Sequence, residues 1–208
     1  MFDLLIVTSS NDPYLERCLA SLDTDIEIAV IIVNLERVPN PGIIFNKTLQ
    51  TCTNKIFTII ESSDHFLPHA FKTLQEFVPL KSFGLIHADS INQYTGLQNL
   101  PSALPLTEDI LKTVNPVRKP VFYNRKIVDY LQLFDINSPL PEFDLILKIW
   151  ERFPVVRFPK ALLNVRNQVS GCQEDVNKVL YDAQIRHTKQ FYYAYPSMYP
   201  EGLLDPLL

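Results

Sequence analysis

The sequence predicts an α/β fold: a single domain whose mixed, mostly parallel sheet is covered by helices on both faces. Short apolar runs rich in β-branched residues alternate with segments of helical periodicity through most of the chain. The runs are apolar at consecutive positions, as strands buried on both faces are. They also stop abruptly at small polar or acidic residues: Thr8-Ser9-Ser10, Asn34, and Glu61-Ser62-Ser63-Asp64. In a parallel sheet such tips share one edge, and ligands bind beyond the carboxyl ends of the strands.

Residues 3–8 read as the first strand. Tyr14, Leu15, Cys18, Leu19 and Leu22 then recur at helical spacing, with Asp12 and Pro13 suited to the cap and first turn. Residues 26–33 form a second strand, "ERVPNPG" is a loop, residues 43–53 are a helix, and residues 56–60 are the third strand. A helix is expected over 68–77, a strand over 83–87, and a second short strand over 91–94 before a turn at Thr95-Gly96. A short helix over 107–114, capped by Thr107, precedes a brief strand over 121–123 and a helix over 125–131. An amphipathic helix spans 142–152, two short strands flank Pro159 over 155–158 and 161–165, and a final helix covers 173–190. The tail from residue 191 carries four tyrosines and three prolines, and suits a surface wrap or a partner contact.

The totals set limits on function. A chain of 208 residues supports one full core. A formal net charge of −4 argues against a nucleic-acid binder. No apolar run approaches the ~18 residues of a membrane span, and Met1-Phe2-Asp3 lacks the basic leader of a signal peptide. The expected location is cytoplasmic. Cys18, Cys52 and Cys172 are far apart and form no CxxC pair, so they read as free thiols in a reducing compartment. With five glycines and neither GxGxxG nor GxxxxGK[ST], glycine-built phosphate loops are excluded.

The order of signatures resembles the family 2 glycosyltransferases. "LLIVTSSNDPYLERCLASL" is similar to that family's opening strand, turn and helix, and "IEIAVIIVN" to its second strand. "IIFNKTLQTCTNKIFTIIESSDHFLPHAF" resembles its middle section, in which a strand ends in a run of acids before "LxPxAL". "FGLIHADSINQYTG" is similar to the next strand and hairpin, and "FDINSPLPEFDLILKIWERFPVVRFPKALLNVR" to the acceptor-side helix and following strand. The resemblance covers about residues 3–170 and implies a GT-A-like, Rossmann-type domain over 1–190. Its nucleotide-sugar half would lie over about 1–100, its acceptor half over 101–170, and its last helix over 173–190, with the tail at 191–208.

The activity implied is inverting transfer of a sugar from a nucleotide sugar, a UDP-sugar foremost, to an acceptor hydroxyl. The acceptor is a glycan, lipid or protein, and the expected location extends to a membrane periphery. A self-association or larger assembly through the tail is also implied. The alternative is a glycosyltransferase-like domain that has lost catalysis and serves as a binding or scaffolding module.

By register Glu61 stands where the family has its first aspartate, Ser63 where a metal-binding aspartate is expected, and Asp64 at the last acid. The resemblance implies a divalent Mn or Mg ion at Glu61 and Asp64, with Ser63 adding a hydroxyl. Alternatively no metal binds and Lys47, Arg118, Arg125 or Arg166 meets the diphosphate. The residues alone also allow a solvated turn that caps the next helix. Thr8, Ser10 and Asn34 would line the nucleoside pocket; the Asn34 amide both donates and accepts, so it can read uracil or ribose. Asn46 falls where a family asparagine opens a helix. Thr8, Ser10 and Asn46 serve equally well as caps.

Glu142 matches the second acid of the family's Glu-Asp pair and is the candidate base, with Pro141 replacing the first acid. Asp144 belongs to a different helix face, and the helix dipole by itself favours two acids in a first turn. Arg166 closes "ALLNVR" where the family has an arginine near the diphosphate, and Gln168 stands near an expected histidine. His65 and His69, four apart across Pro68, are candidates to face the cleft.

Overall fold

The structure, a computed structural model, describes residues 2–22, 25–36, 40–78, 82–93, 98–99 and 119–166. The helices expected over 107–114 and 173–190, the turn at Thr95-Gly96, the 191–208 tail, and Arg118, Gln168, Cys172 and His187 lie outside the described residues.

The strands are β1 (Phe2–Thr8), β2 (Ile28–Asn34), β3 (Ile56–Glu61), β4 (His65–Phe66), β5 (Leu85–Asn92), β6 (Gln98–Asn99), β7 (Val121–Asn124) and β8 (Val155–Val165). The helices are α1 (Leu15–Ala20), α2 (Pro41–Leu49), α3 (Ala70–Phe77), α4 (Arg125–Tyr130) and α5 (Pro141–Arg152). The strands form one sheet in the order β2-β1-β3-β7-β5-β8-β4, with β6 added beside β5. The three long pairings, β1 with β2, β1 with β3, and β5 with β8, are parallel; the short ones are antiparallel. No helix among the described residues is long and apolar enough to cross a membrane.

Alternation along the buried strands divides the core between two faces. Leu4 and Ile6 of β1 join Ile56 and Ile60 of β3, Cys18 of α1, and Phe71 and Leu74 of α3. Leu5, Phe57 and Ile59 point the other way, toward Phe45 and Leu49 of α2, Ile127 and Val128 of α4, and Leu145, Ile146 and Ile149 of α5. Each such side chain contributes ~1.5–3 kcal/mol when fully buried. Cys18 is a buried free thiol whose pKa burial, then Asp64 and Asp12, push up to about 12.

Several boundaries differ from the sequence expectation. The helix expected over 43–53 begins at Pro41, because the Asn40 side chain accepts from the Gly42 N–H at 2.7 Å and proline sits in the first turn. The strand expected over 83–87 runs from Leu85 to Asn92, so Ile91 extends β5 and the antiparallel neighbour is Gln98–Asn99. The two strands expected around Pro159 are one. The register jumps from Ala88↔Phe158 to Asp89↔Ala161, which leaves Pro159 and Lys160 unpaired in a bulge. A residue without an N–H is tolerated in such a bulge. The two-residue β4 was missed because two residues show no periodicity.

Candidate active site

The register brings the polar tips together. Thr8 pairs with Asn34 and Val7 with Glu61, so the carboxyl ends of β2, β1 and β3 lie side by side. Asn34 Nδ2 donates to Ser10 Oγ at 3.3 Å and its Oδ1 accepts from the Glu36 N–H at 2.8 Å. Glu36 in turn receives the Ser10 N–H at 2.8 Å and hydroxyl at 2.5 Å. These two hydrogen bonds from Ser10 hold the Glu36 carboxyl below the usual glutamate range. Asp12 ties the tips of β1 and β3: its Oδ2 accepts from Thr8 Oγ1 at 3.2 Å and from Ser62 Oγ, and its Oδ1 accepts from the Tyr14 N–H at 2.9 Å. The Ser62 hydrogen bond, ahead of the one from the Tyr14 backbone, lowers its pKa.

On the other side of the β3 tip stands a charged cluster. β7 runs antiparallel to β3 with Thr58 opposite Phe122, and extending that ladder brings residue 119 opposite Glu61. Lys119 Nζ lies 3.4 Å from Glu61 Oε1. Burial pushes the ammonium's pKa down, but Glu142, Glu61 and Asp64 outweigh it and leave the value raised. Glu142 sits in the first turn of α5, and its Oε1 accepts from the buried Tyr123 hydroxyl at 2.9 Å. Tyr123 is locked by stacking on Phe57, ring centroids 5.0 Å apart. Burial, then Glu142, raise its pKa well above the usual phenol value.

Asp64 is buried, with Oδ1 accepting from the Arg166 N–H at 3.1 Å. Burial raises its pKa to about 6, against the pull of Lys119 and the Arg166 N–H. The Arg166 guanidinium lies over the Tyr14 ring, 3.8 Å from the centroid.

Other sequence candidates go elsewhere. Asn46 lies inside α2 rather than at its start, and its amide both donates to the Phe134 carbonyl at 2.8 Å and accepts from the Phe134 N–H at 2.9 Å. It pins a loop and is not free to meet a nucleoside. Arg125 follows β7, whose end lies at the amino end of β3; its guanidinium binds Asp129 at 2.9 Å and the Leu49 carbonyl. Lys47 is exposed in the last turn of α2, toward that same end. His65 is held between Gln93 at 3.1 Å and Asn164 at 2.9 Å, and burial, with Arg17, lowers its pKa. His69 is exposed beside a separate surface recess of about 300 Å³ lined also by Ser21, Phe66 and Lys72. Asp144 turns away from Glu142 and pairs with Lys148 at 2.7 Å.

Solved structures share this architecture. Residues 1–349 of S. aureus TarS in complex with UDP-GlcNAc match 88% of this chain with a TM-score of 0.68 and 12% identity. The mannosyltransferase PcManGT from Pyrobaculum calidifontis, in complex with GDP-Man and Mn2+, matches 94% with a TM-score of 0.63 and 10% identity. The chain has a GT-A fold. It spans 65% and 66% of those two GT-A chains, just under two thirds of each. No protein-family model and no curated protein matches the sequence.

One of these GT-A neighbours is a Mn2+ complex. Among the described residues here, no three His, Cys, Asp or Glu side chains are grouped to hold an ion. Glu61 is engaged by an ammonium, Asp64 is buried on a backbone N–H, and Ser63 supplies no carboxylate. A hard divalent cation needs several oxygen ligands and is repelled by Lys119. The residues expected to form a metal site therefore do not fit one. Sequence reasoning missed Lys119, Tyr123, Asp12 as a tie and Glu36. The pairing of β7 with β3 is the signal for the first two, and it joins segments about sixty residues apart.

Proposed function

We propose that the chain transfers a sugar, with inversion, from a nucleoside-diphosphate sugar to an acceptor hydroxyl. The single observation that carries this reading is the charged cluster at the β3 tip: Lys119 Nζ lies 3.4 Å from Glu61 Oε1, and Glu142, held in the first turn of α5 by the Tyr123 hydroxyl, raises the ammonium's pKa. Thr8, Ser10 and Asn34 stand at the adjoining tips, where the nucleoside would lie. The GT-A neighbours solved with UDP-GlcNAc, UDP and GDP-Man support a nucleotide-sugar donor, and UDP is the donor nucleotide we favour.

Glu142 acts as the base. Tyr123 holds its Oε1, which leaves Oε2 to take the acceptor's proton. The acceptor oxygen attacks the anomeric carbon as that proton leaves. The bond from that carbon to the β-phosphate oxygen breaks, and its electron pair departs with the nucleoside diphosphate. Negative charge grows on the leaving phosphates, so the site must supply positive groups already in place; Arg166 is one.

Transfer from labelled UDP- and GDP-sugars to glycan, lipid and protein acceptors tests the reading. Glu142→Gln should lower transfer on the order of 10²- to 10⁴-fold while donor affinity is retained. Full activity in that variant removes Glu142 as base. The second reading, a donor-binding module without catalysis, draws on Ser63 at an expected acid position. It would show as nucleotide binding with no transfer in wild type.

A further inference from the structure

We propose that Lys119 supplies the positive charge that holds the donor's diphosphate, so that this site binds a nucleoside diphosphate without a divalent metal. The inference rests on the donor reading and names the group that meets its phosphates. The cation sits at the tip of β3, the edge on which such sheets bind ligands. Its side chain is 25% exposed, so it is anchored without being sealed in the core. An ammonium has three N–H donors, and Glu61, at 3.4 Å, is its hydrogen-bond partner among the described residues. Two donors remain for phosphate oxygens. Lysine is a strongly hydrated point charge on a flexible stem, able to follow a diphosphate as its charge grows.

The same placement disfavours a metal, because Nζ already lies on the carboxylate a divalent ion would need. Arg166 adds a second cation: its backbone N–H binds Asp64 while its guanidinium lies over the Tyr14 ring. Glu61, Asp64 and Glu142 outnumber these two cations. Their excess charge makes a divalent ion the rival, and the experiment is built to separate the two.

UDP and GDP are titrated calorimetrically into the full chain in EDTA, then in Mn2+, with uridine and guanosine as controls. Binding of a nucleoside diphosphate in EDTA is expected. Lys119→Gln should weaken it about 10- to 100-fold, the range of one charge-assisted hydrogen bond, and leave nucleoside binding unchanged. Lys119→Arg should recover most of the affinity. Thermal unfolding of both variants checks that they fold; if Lys119→Gln does not, the EDTA arm on wild type and the arginine variant still decide. Binding that vanishes in EDTA and returns with Mn2+ overturns the inference and leaves the donor reading standing. Undiminished binding by folded Lys119→Gln also overturns it. Failure of every nucleotide to bind, with or without metal, sinks the donor reading itself and this inference with it.

Discussion

Tyr123 contributes packing and polarity at once. Its ring fills the core against Phe57, and its hydroxyl reaches the Glu142 carboxylate. A buried hydroxyl needs a partner, and the carboxylate provides one. Tyr123→Phe keeps the stack and removes that donor. Turnover should drop about tenfold, the worth of one hydrogen bond to a charged group, with donor affinity unchanged; steady-state kinetics read both. An unaltered turnover number would remove Tyr123 as a positioning residue. Glu142 was legible as a candidate in the sequence because its place in the first turn of an amphipathic helix matched a family pattern. Lys119 carries no such mark: it precedes a four-residue strand, and its importance arises only when that strand lies beside β3.

At the scale of elements, close packing of β5 on α5 is what sets Glu142 over the sheet. Gly84 lies just before β5, and a Cβ there would meet Ile149 Cγ2 at 2.6 Å and Phe153 Cβ at 2.7 Å. Both neighbours belong to α5 or its end, so the helix would have to move. Gly84→Ala is expected to destabilise the fold by about 1–3 kcal/mol, as overpacked core substitutions do. Urea unfolding measures the loss, and a midpoint equal to wild type would contradict the packing argument. The described helices were readable from their apolar spacing, but their starts, that of α4 at Arg125 apart, fell one or two residues from the expected positions. Asn40 rather than a later residue caps α2, because the Pro41 that follows it fits a first helical turn. That shift moved Asn46 from an expected cap to a pin on the Phe134 loop.

For the molecule as a whole, two buried groups give pH dependence of opposite sign. Asp64 has a folded pKa raised to about 6 by burial, so its contribution to stability is present below about 4 and is lost as pH rises through about 6. His87 is buried with Nδ1 unpartnered among the described residues, and burial, then Arg157, depress its pKa to about 4. Its contribution is present above about 6.5 and is lost as pH falls through about 4. The slopes oppose each other between pH ~4 and ~6. Removing one exposes the other: the stability of Asp64→Asn relative to wild type should rise with pH across that window in denaturant titrations. A flat difference would show that Asp64 is not desolvated in the folded chain. Donor binding should also appear at this scale. UDP at about 100 times its dissociation constant adds ~2.7 kcal/mol of stability, which a thermal melt registers.

By itself the sequence determined the alternation of strand and helix, the burial of β1, β3 and β5 on both faces, though not the exposure of the edge strand β2, and the polar residues at the strand tips. These are local properties, set by side-chain periodicity and by the chemistry of the residue that ends each run. The tertiary structure decided which tips meet. Strand order and the antiparallel insertion of β7 between β3 and β5 depend on pairings across long stretches of chain. No local pattern encodes them, and they alone bring Lys119 to Glu61 and Tyr123 to Glu142.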